Sequence, residues 1–366
     1  MAAQQSDDAL GGRTWRGVRL LDVATFHPDD TFDTLIVWRS LAPLDLPLRA
    51  ARVLVDLHDM PRPNDLSPRR LARADRLLLK SAFQRALLPP LAAARPVSII
   101  PNGVDAEAIE AARRDAEAEV AAEEAAEQGG TGAGAGAAAR RRRSLRLAYT
   151  SSYDRGLEAM LRHGWPLIAA ALPHATLHVY YGLRSHEVLY PAQAAWRAEM
   201  RALLASFGGR VVDHGRVGQP ALLRAKARCQ LLYYITTFPE IDCIAAREAA
   251  MLGCVPLTST YGVFGDDAKD YCVRVPGDPA NPETQRAAAQ RAVALLEAYV
   301  DGGAAAMPSV DTPTLRAETW ARIAARWEAE VLPPAAADDN NAAAPAERDG
   351  RKEERNGHDS GATSQL

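Results

Sequence analysis

Leu231–Phe264, LLYYITTFPEIDCIAAREAAMLGCVPLTSTYGVF, concentrates the chemistry of this chain and decides its fold. Its first part, Leu231 to Thr237, is apolar, aromatic and β-branched, the pattern of a buried strand in a parallel sheet. Phe238-Pro239-Glu240 reads as a turn. Asp242 stands where it can cap a helix running to Leu252, and Gly253 stands where a helix C-cap glycine belongs. A second strand follows at Val255 to Thr258, and a Tyr261-Gly262 turn closes the unit. The stretch is therefore strand, turn, helix and strand, with Glu240 in the turn and Glu248 in the helix.

A helix start is an anion site, because its first backbone N–H groups lack internal partners and carry the positive end of the helix dipole. A diphosphate fits against Asp242, Cys243 and Ile244, provided a basic residue elsewhere completes the neutralisation. Glu240 then faces whatever the phosphate carries. Glu248, about a turn and a half further on, offers two acceptor oxygens to a ribose diol. The alternative, that Asp242 only caps and both glutamates are solvated, stays open on spacing alone.

Glu240, seven intervening residues and Glu248, followed by Ala249, Met251, Gly253 and Pro256, resemble the E-x7-E element of retaining nucleotide-sugar glycosyltransferases. These are the group 1 or family 4 enzymes of the GT-B fold. Other pieces share the resemblance in family order. His58 closes a strand like the histidine element at the family's cleft edge. Ser81-Ala82-Phe83-Gln84-Arg85 is similar to its S-x-f-x-R, and Ile99-Ile100-Pro101-Asn102-Gly103-Val104-Asp105 to its IPNGVD, where the first domain ends. Asn-Gly makes a tight turn there, since both residues tolerate positive φ. Ser151-Ser152-Tyr153-Asp154-Arg155-Gly156-Leu157 resembles the loop that sets a guanidinium against the donor diphosphate, with Thr150 where a first cation is usual. His214-Gly215-Arg216-Val217 is similar to the element after which the nucleobase slot forms, and Gly262-Val263-Phe264-Gly265 to the glycine loop facing the donor sugar.

The resemblance implies an α/β chain of two Rossmann-like parallel-sheet domains facing across a cleft, with the N-terminal one reduced. It implies transfer of a glycosyl group from a nucleoside diphosphate sugar, with retention, to a glycan, lipid or protein acceptor. The implied catalytic set is Glu240, Arg155 and His58. The implied donor contacts are Glu248, Ser152, Gly156, Val217, Asp242, Cys243, Ile244, Gly262 and Phe264. No metal or other cofactor is expected, since nothing resembles a D-x-D element. Two departures favour a second reading, a nucleotide-sugar binder without turnover or a regulatory scaffold: Thr150, and a first half in which Gly11-Gly12 come too early to form the family's N-terminal glycine loop.

Alternating strands and helices place the first domain at 16–105, with strands at Val18 to Ala24, Thr34 to Trp38, Ala51 to Leu57, Ala74 to Lys80 and Val97 to Ile100. Helices are expected at Leu66 to Arg73 and Ser81 to Leu91. Residues 106–144 form an Ala/Glu, Gly and Arg-rich insertion, read as an exposed helix, a flexible linker and a solvated arginine run at Arg140 to Arg143. Its glycines at 129–136 miss the phosphate-loop spacing. The second domain is 145–332, with further strands at Ala175 to Tyr181 and Tyr271 to Val275. It ends in helices at Glu283 to Val300 and Thr314 to Val331, the latter presenting Trp320 and Trp327 as a packing face. His174 and His178, beside a proline and without a glutamate between them, read as strand-edge polar residues rather than metal ligands. Residues 1–15 and 333–366 read as disordered.

At 366 residues the chain is long enough for two such domains. A net charge of −3 with 24% charged residues implies no general attraction to nucleic acid. The four cysteines, Cys229, Cys243, Cys254 and Cys272, lack C-x-x-C spacing and read as reduced core residues. No apolar run approaches a membrane span and no signal-peptide core appears, so the expected location is the cytoplasm, free or peripheral to a membrane.

Overall fold

The computed structural model describes residues 14–332 apart from 16, 23, 24, 28, 63 and 129–136. The expected disorder at both ends falls mostly outside the described residues, as does the glycine linker.

A short antiparallel pair, β1 (Thr14–Trp15) and β2 (Val18–Arg19), precedes the first sheet. It replaces the longer strand expected from Val18. With no third strand beside it, the pair has nothing to extend against. Four strands then pair in parallel and in chain order: β3 (Thr31–Trp38), β4 (Arg49–Asp56), β5 (Arg76–Leu79) and β6 (Val97–Ile99). Successive side chains point to opposite faces, and both faces are covered. Val53, Val55, Leu77 and Leu79 pack with Leu66, Leu71, Leu88 and Ala92. Leu71 comes from α1 (Pro68–Leu71) and Ala92 from α3 (Pro90–Ala93), while Leu66 and Leu88 lie in the loops before α1 and after α2 (Ala82–Ala86). The single helix expected from Ser81 to Leu91 is thus two, because Pro89-Pro90 cannot continue a helix.

Leu54, Leu78 and Ile100 face the other way. Ile323, Trp327 and Val331 cover them, from the far end of the chain. The C-terminal helix therefore crosses back onto the first sheet, where Arg52 donates to the Val331 carbonyl (2.7 Å) and Arg326 to that of Ile99 (2.8 Å).

The second sheet has six parallel strands: β7 (Arg146–Tyr149), β8 (Thr176–Val179), β9 (Val211–Asp213), β10 (Leu231–Tyr234), β11 (Val255–Ser259) and β12 (Val273–Val275). Their order is β12-β11-β10-β7-β8-β9. The chain builds outward from β7 in one direction, returns, and builds outward from β10 in the other. The loops after β7 and β10 consequently emerge side by side, which is where open parallel sheets bind ligands.

Between the sheets runs α4 (Ala106–Gln128), and α5 (Ala137–Arg143) precedes β7. Both are largely exposed, as expected, but each is anchored to the second half. Ile109, Ala112 and Ala116 are buried, the first two against Leu223 and Leu252 of the second half. Arg141 donates to the carbonyls of Val300 (2.8 Å) and Asp301 (3.0 Å), at a helix C-terminus that favours a cation.

The remaining helices are α6 (Leu157–Ala159), which continues through a wide turn at Met160–Gly164 into α7 (Trp165–Ala171), then α8 (Arg184–Leu189), α9 (Ala194–Ala205), α10 (Gln219–Ala227), α11 (Ile244–Met251), α12 (Pro282–Gly302), α13 (Pro313–Ala317) and α14 (Trp320–Glu330). The last two interrupt the single helix expected from Thr314. Val104 bridges Thr319 between them, receiving a bond from Trp320 N (3.0 Å) and donating to Glu318 O (3.1 Å). The expected Trp320–Trp327 face is Ile323–Trp327 instead, and Trp320 is 49% exposed. No described helix is long and apolar enough to cross a membrane.

This crossing needs Gly103, where an added Cβ would lie 2.6 Å from Trp320 N. Gly103→Ala should lower stability by about 1–3 kcal/mol through overpacking, read as an earlier midpoint in urea unfolding.

Candidate active site

The loops after β7 and β10 meet at Arg155. Gly156, at φ 102°, carries the chain past β10 so closely that a Cβ would lie 3.0 Å from both Ile235 O and Thr237 N. That approach sets Arg155 beside the 238–240 turn. Its guanidinium lies 3.9 Å above the Phe238 ring and donates to Glu240 Oε1 at 3.0 Å. The same oxygen accepts from the Tyr234 hydroxyl (2.6 Å), which is itself 3.1 Å from Ser151 Oγ. Burial lowers the Arg155 pKa, but the Glu240 carboxylate and Tyr234 reverse this and leave it raised. Burial and Glu240 push the Tyr234 phenol well up, so that it remains a proton donor.

Gly262 closes the far side of Glu240, with φ 65° and room for no side chain: a Cβ would meet Glu240 N at 2.9 Å. Val263 N then donates to Glu240 O (2.8 Å). Phe264 is fully buried, its ring edge-on to Tyr234 at 6.1 Å. Ser152 turns its carbonyl to Tyr149 Oη (2.7 Å) and Arg155 N (3.1 Å).

Asp242 does not cap α11. Its carboxylate points inward, 3% exposed, and accepts from Asn102 N (2.9 Å), Asn102 Nδ2 (2.8 Å), Arg247 (2.6 Å) and Lys269 (3.2 Å). Glu318 completes the cluster through Arg247 and, at 3.8 Å, Lys269. The inward turn follows from Cys243, which adopts left-handed φ 59° at the helix start and leaves it without a side-chain cap. Ile244 beside it is 37% exposed. The N-terminus of α11 is therefore open to an anion, though through an uncapped backbone rather than beside an acidic cap.

Glu248, buried on α11, accepts from Lys226 (2.5 Å) and Gln219 (2.6 Å) of α10. Val217, half-buried, precedes that helix. Across the cleft, His58 Nε2 lies 2.8 Å from Asp56, which is 2.6 Å from Lys80 Nζ. Burial raises the Asp56 pKa, and His58 and Lys80 lower it further than burial raises it. Trp38 sets its ring edge-on to His58 at 5.3 Å. Phe83 of α2 packs against the second core, fixing this wall against the other.

Arg155, Glu240, Gly156, Gly262 and Phe264 thus form one group, Glu248 a second with α10, and His58 the opposite wall. Sequence reasoning missed Tyr234, Lys226, Gln219 and Arg39, which pairs with Asp59 at the cleft edge. Tyr234, the last residue of an apolar strand before the Glu240 turn, carried a readable signal. The other three become site residues only when distant segments meet. His178, expected at a strand edge, bonds His214 (2.9 Å) beneath Tyr180, and burial lowers it to about 4.

Among solved structures the chain resembles HepE of Anabaena in complex with UDP, at 15% identity over 75% of this chain and 70% of that one, TM-score 0.50. It also resembles a UDP-forming trehalose-phosphate synthase of Burkholderia xenovorans in complex with glucose-6-phosphate, at 12% identity, TM-score 0.57, covering 83% and 74%. Sucrose-phosphate synthase of Thermosynechococcus elongatus aligns at 16% identity, TM-score 0.54, over 80% and 71%. The fold is GT-B. No protein-family model matches the chain, and no curated protein does. In GT-B terms, the Arg155–Glu240 group lies on the C-terminal wall and His58 on the N-terminal one.

The Asp242 cluster should dominate the acid response. Burial raises the Asp242 pKa, but Arg247 and Lys269 hold it well below the usual carboxylate range. A depressed native pKa gives stability that is full above about pH 4 and drains away as pH falls toward the native value. Urea unfolding of Asp242→Asn should therefore show lower stability at pH 7 and a flatter decline below about pH 4 than the wild type. Arg247→Met, which leaves two buried carboxylates to Lys269, should cost about 3–5 kcal/mol.

Proposed function

We propose that the protein transfers a glycosyl group from a nucleoside diphosphate sugar to an acceptor hydroxyl, with retention of anomeric configuration. One observation carries this reading: Arg155 and the uncapped start of α11 converge beside Glu240 at the C-terminal ends of neighbouring parallel strands. A leaving diphosphate placed there gains a guanidinium fork and free backbone N–H groups, fixed before the reaction begins. Glu240, held by Tyr234 and Arg155, faces the donor sugar. Glu248, held by Gln219 and Lys226, keeps acceptor lone pairs for the ribose hydroxyls.

The HepE structure contains UDP, which makes UDP the first nucleotide to test. Retention is supported by the E-x7-E resemblance and by the similarity of this chain to a trehalose-6-phosphate synthase that transfers its glycosyl group with retention, TM-score 0.51 at 13% identity. His58, oriented by Asp56 and Lys80, positions the donor sugar or the acceptor. Protein cations stabilise the leaving group, and the proposal calls on no metal.

The second reading, binding without turnover, is favoured by Thr150, whose buried hydroxyl has no partner where a cation would help the leaving group. Thermal shift against UDP, GDP, ADP and their sugars separates the readings when joined to a hydrolysis assay. A stabilising nucleotide together with sugar release supports transfer, and stabilisation alone supports the binder. Glu248→Ala should reduce the shift. Arg155→Ala should slow turnover by about 10- to 100-fold, the loss of a charge-assisted bond of about 1.5–3 kcal/mol. Variants equal to the wild type would remove the site assignment.

A further inference from the structure

Arg39 follows directly on β3 and holds left-handed backbone at φ 66°. Among the described residues only Tyr181 (φ 114°) and Cys243 (φ 59°) are other non-glycine residues with positive φ. Cys243 opens the start of α11, and Tyr181 lies within electrostatic reach of both Arg39 and Arg155. Strain of this kind persists where the surrounding structure imposes it, and it gathers at ligand clamps. At Arg39 the imposing contact is its backbone N–H, which donates to Asp56 O (2.9 Å) beside His58. The side chain is thereby carried to the cleft edge, where it forms a two-pronged pair with Asp59 at 2.7 and 3.0 Å. Both partners are more than half exposed, so the pair contributes little to stability.

The charges on the opposite wall give this pair a purpose. Arg155 is balanced by Glu240, Lys226 by Glu248, and Arg247 and Lys269 by Asp242 and Glu318. A nucleoside diphosphate brings more than one negative charge, and Thr150 adds a buried hydroxyl rather than a cation. Arg39, whose own partner is exposed and easily exchanged, is a cation that can meet it. Gln84 of α2 donates to Asp59 O (2.9 Å) and Phe83 of the same helix packs against the second core, so the Arg39–Asp59 pair stands on the wall that closes against the half carrying Arg155.

We propose that Arg39 is the second cation of the diphosphate site, reaching the phosphates from the N-terminal wall opposite Arg155, and that Asp59 occupies its fork until nucleotide arrives. The clamp rests on the proposed function. A guanidinium fork matches two phosphate oxygens as well as it matches a carboxylate. The ligand therefore exchanges with Asp59 on one wall, engages Arg155 on the other, and draws the two walls together.

The test uses the full chain and whichever of UDP, GDP and ADP binds the wild type, compared by calorimetry with the corresponding nucleoside. Arg39→Gly removes the cation and relieves the left-handed backbone, so it should melt no lower than the wild type and above Arg39→Ala. It should bind the diphosphate about tenfold or more weakly while binding the nucleoside equally. Asp59→Asn should bind the diphosphate more tightly. The double variant Arg39→Gly/Asp59→Asn should stay weak, since direct contact is lost. Its recovery to wild-type affinity would mean that Arg39 only masks Asp59, and would overturn the clamp. Diphosphate affinity unchanged in Arg39→Gly, or nucleoside affinity falling equally, would overturn it too while leaving the proposed function standing. A wild type that binds none of the three removes both.

Discussion

The carboxylate of Asp242, taken out of water, has to be met by donors, and the chain supplies them from three places. Asn102 gives two N–H groups from the segment after the first sheet, and Arg247 gives its guanidinium from α11. Lys269 arrives from the loop before β12, and Glu318, from the segment before α14, balances the charges. A buried cluster of two acids and two bases adds little to stability compared with apolar packing, but breaking it is costly, so its effect is mainly one of placement. Here it fixes the first sheet, the second sheet and the returning C-terminal segment at one point. That point lies directly before α11, so the same inward turn that joins the halves leaves the helix start free.

The cleft chemistry follows from strand order. Because β7 and β10 are neighbours and the chain leaves them in opposite directions, their following loops share one crevice. Gly156 and Gly262 bring backbone against backbone there, from two sides of Glu240. Glu240 consequently has little freedom. Its position is set by main chain, and its charge is held by Tyr234 and Arg155.

How far this could be read from sequence depended on how local the cause was. The alternation of strands and helices was legible because strands buried on both faces are nearly unbroken apolar runs, as in Arg76–Leu79 and Leu231–Tyr234. The two glutamates were legible as motifs, but the expected Asn102-Gly103 turn is not formed: neither residue has positive φ, and Gly103 is needed instead for the close approach of Trp320. The packing of α4 was not. Ile109, Ala112 and Ala116 do repeat at helical spacing, but alanines bury so little that the segment reads as solvated until Leu223 and Leu252 meet it. The direction of Asp242 was hidden because its partners lie 140 residues before it and 27 after it. Arg39 gave no signal, since its strain and its place in the cleft are set by β4 alongside.

The first sheet shows why four strands suffice to build a wall of the cleft. β3 and β4 run in register to Trp38 and Asp56, so both strands end at the same height. From those ends come Trp38, Arg39, Asp56 and His58, held to one another by the Arg39–Asp56 backbone bond and the His58–Asp56 pair. Lys80 reaches the same carboxylate from the end of β5, and Gln84 binds the carbonyls of Leu57 (3.2 Å) and Asp59 (2.9 Å) from below. Each strand C-terminus in this wall either offers a side chain to the cleft or braces one that does. Strands further from that edge would add core but no reach. The four-stranded sheet therefore carries the side chains on which this wall of the cleft depends, with the α14 crossing covering its second buried face.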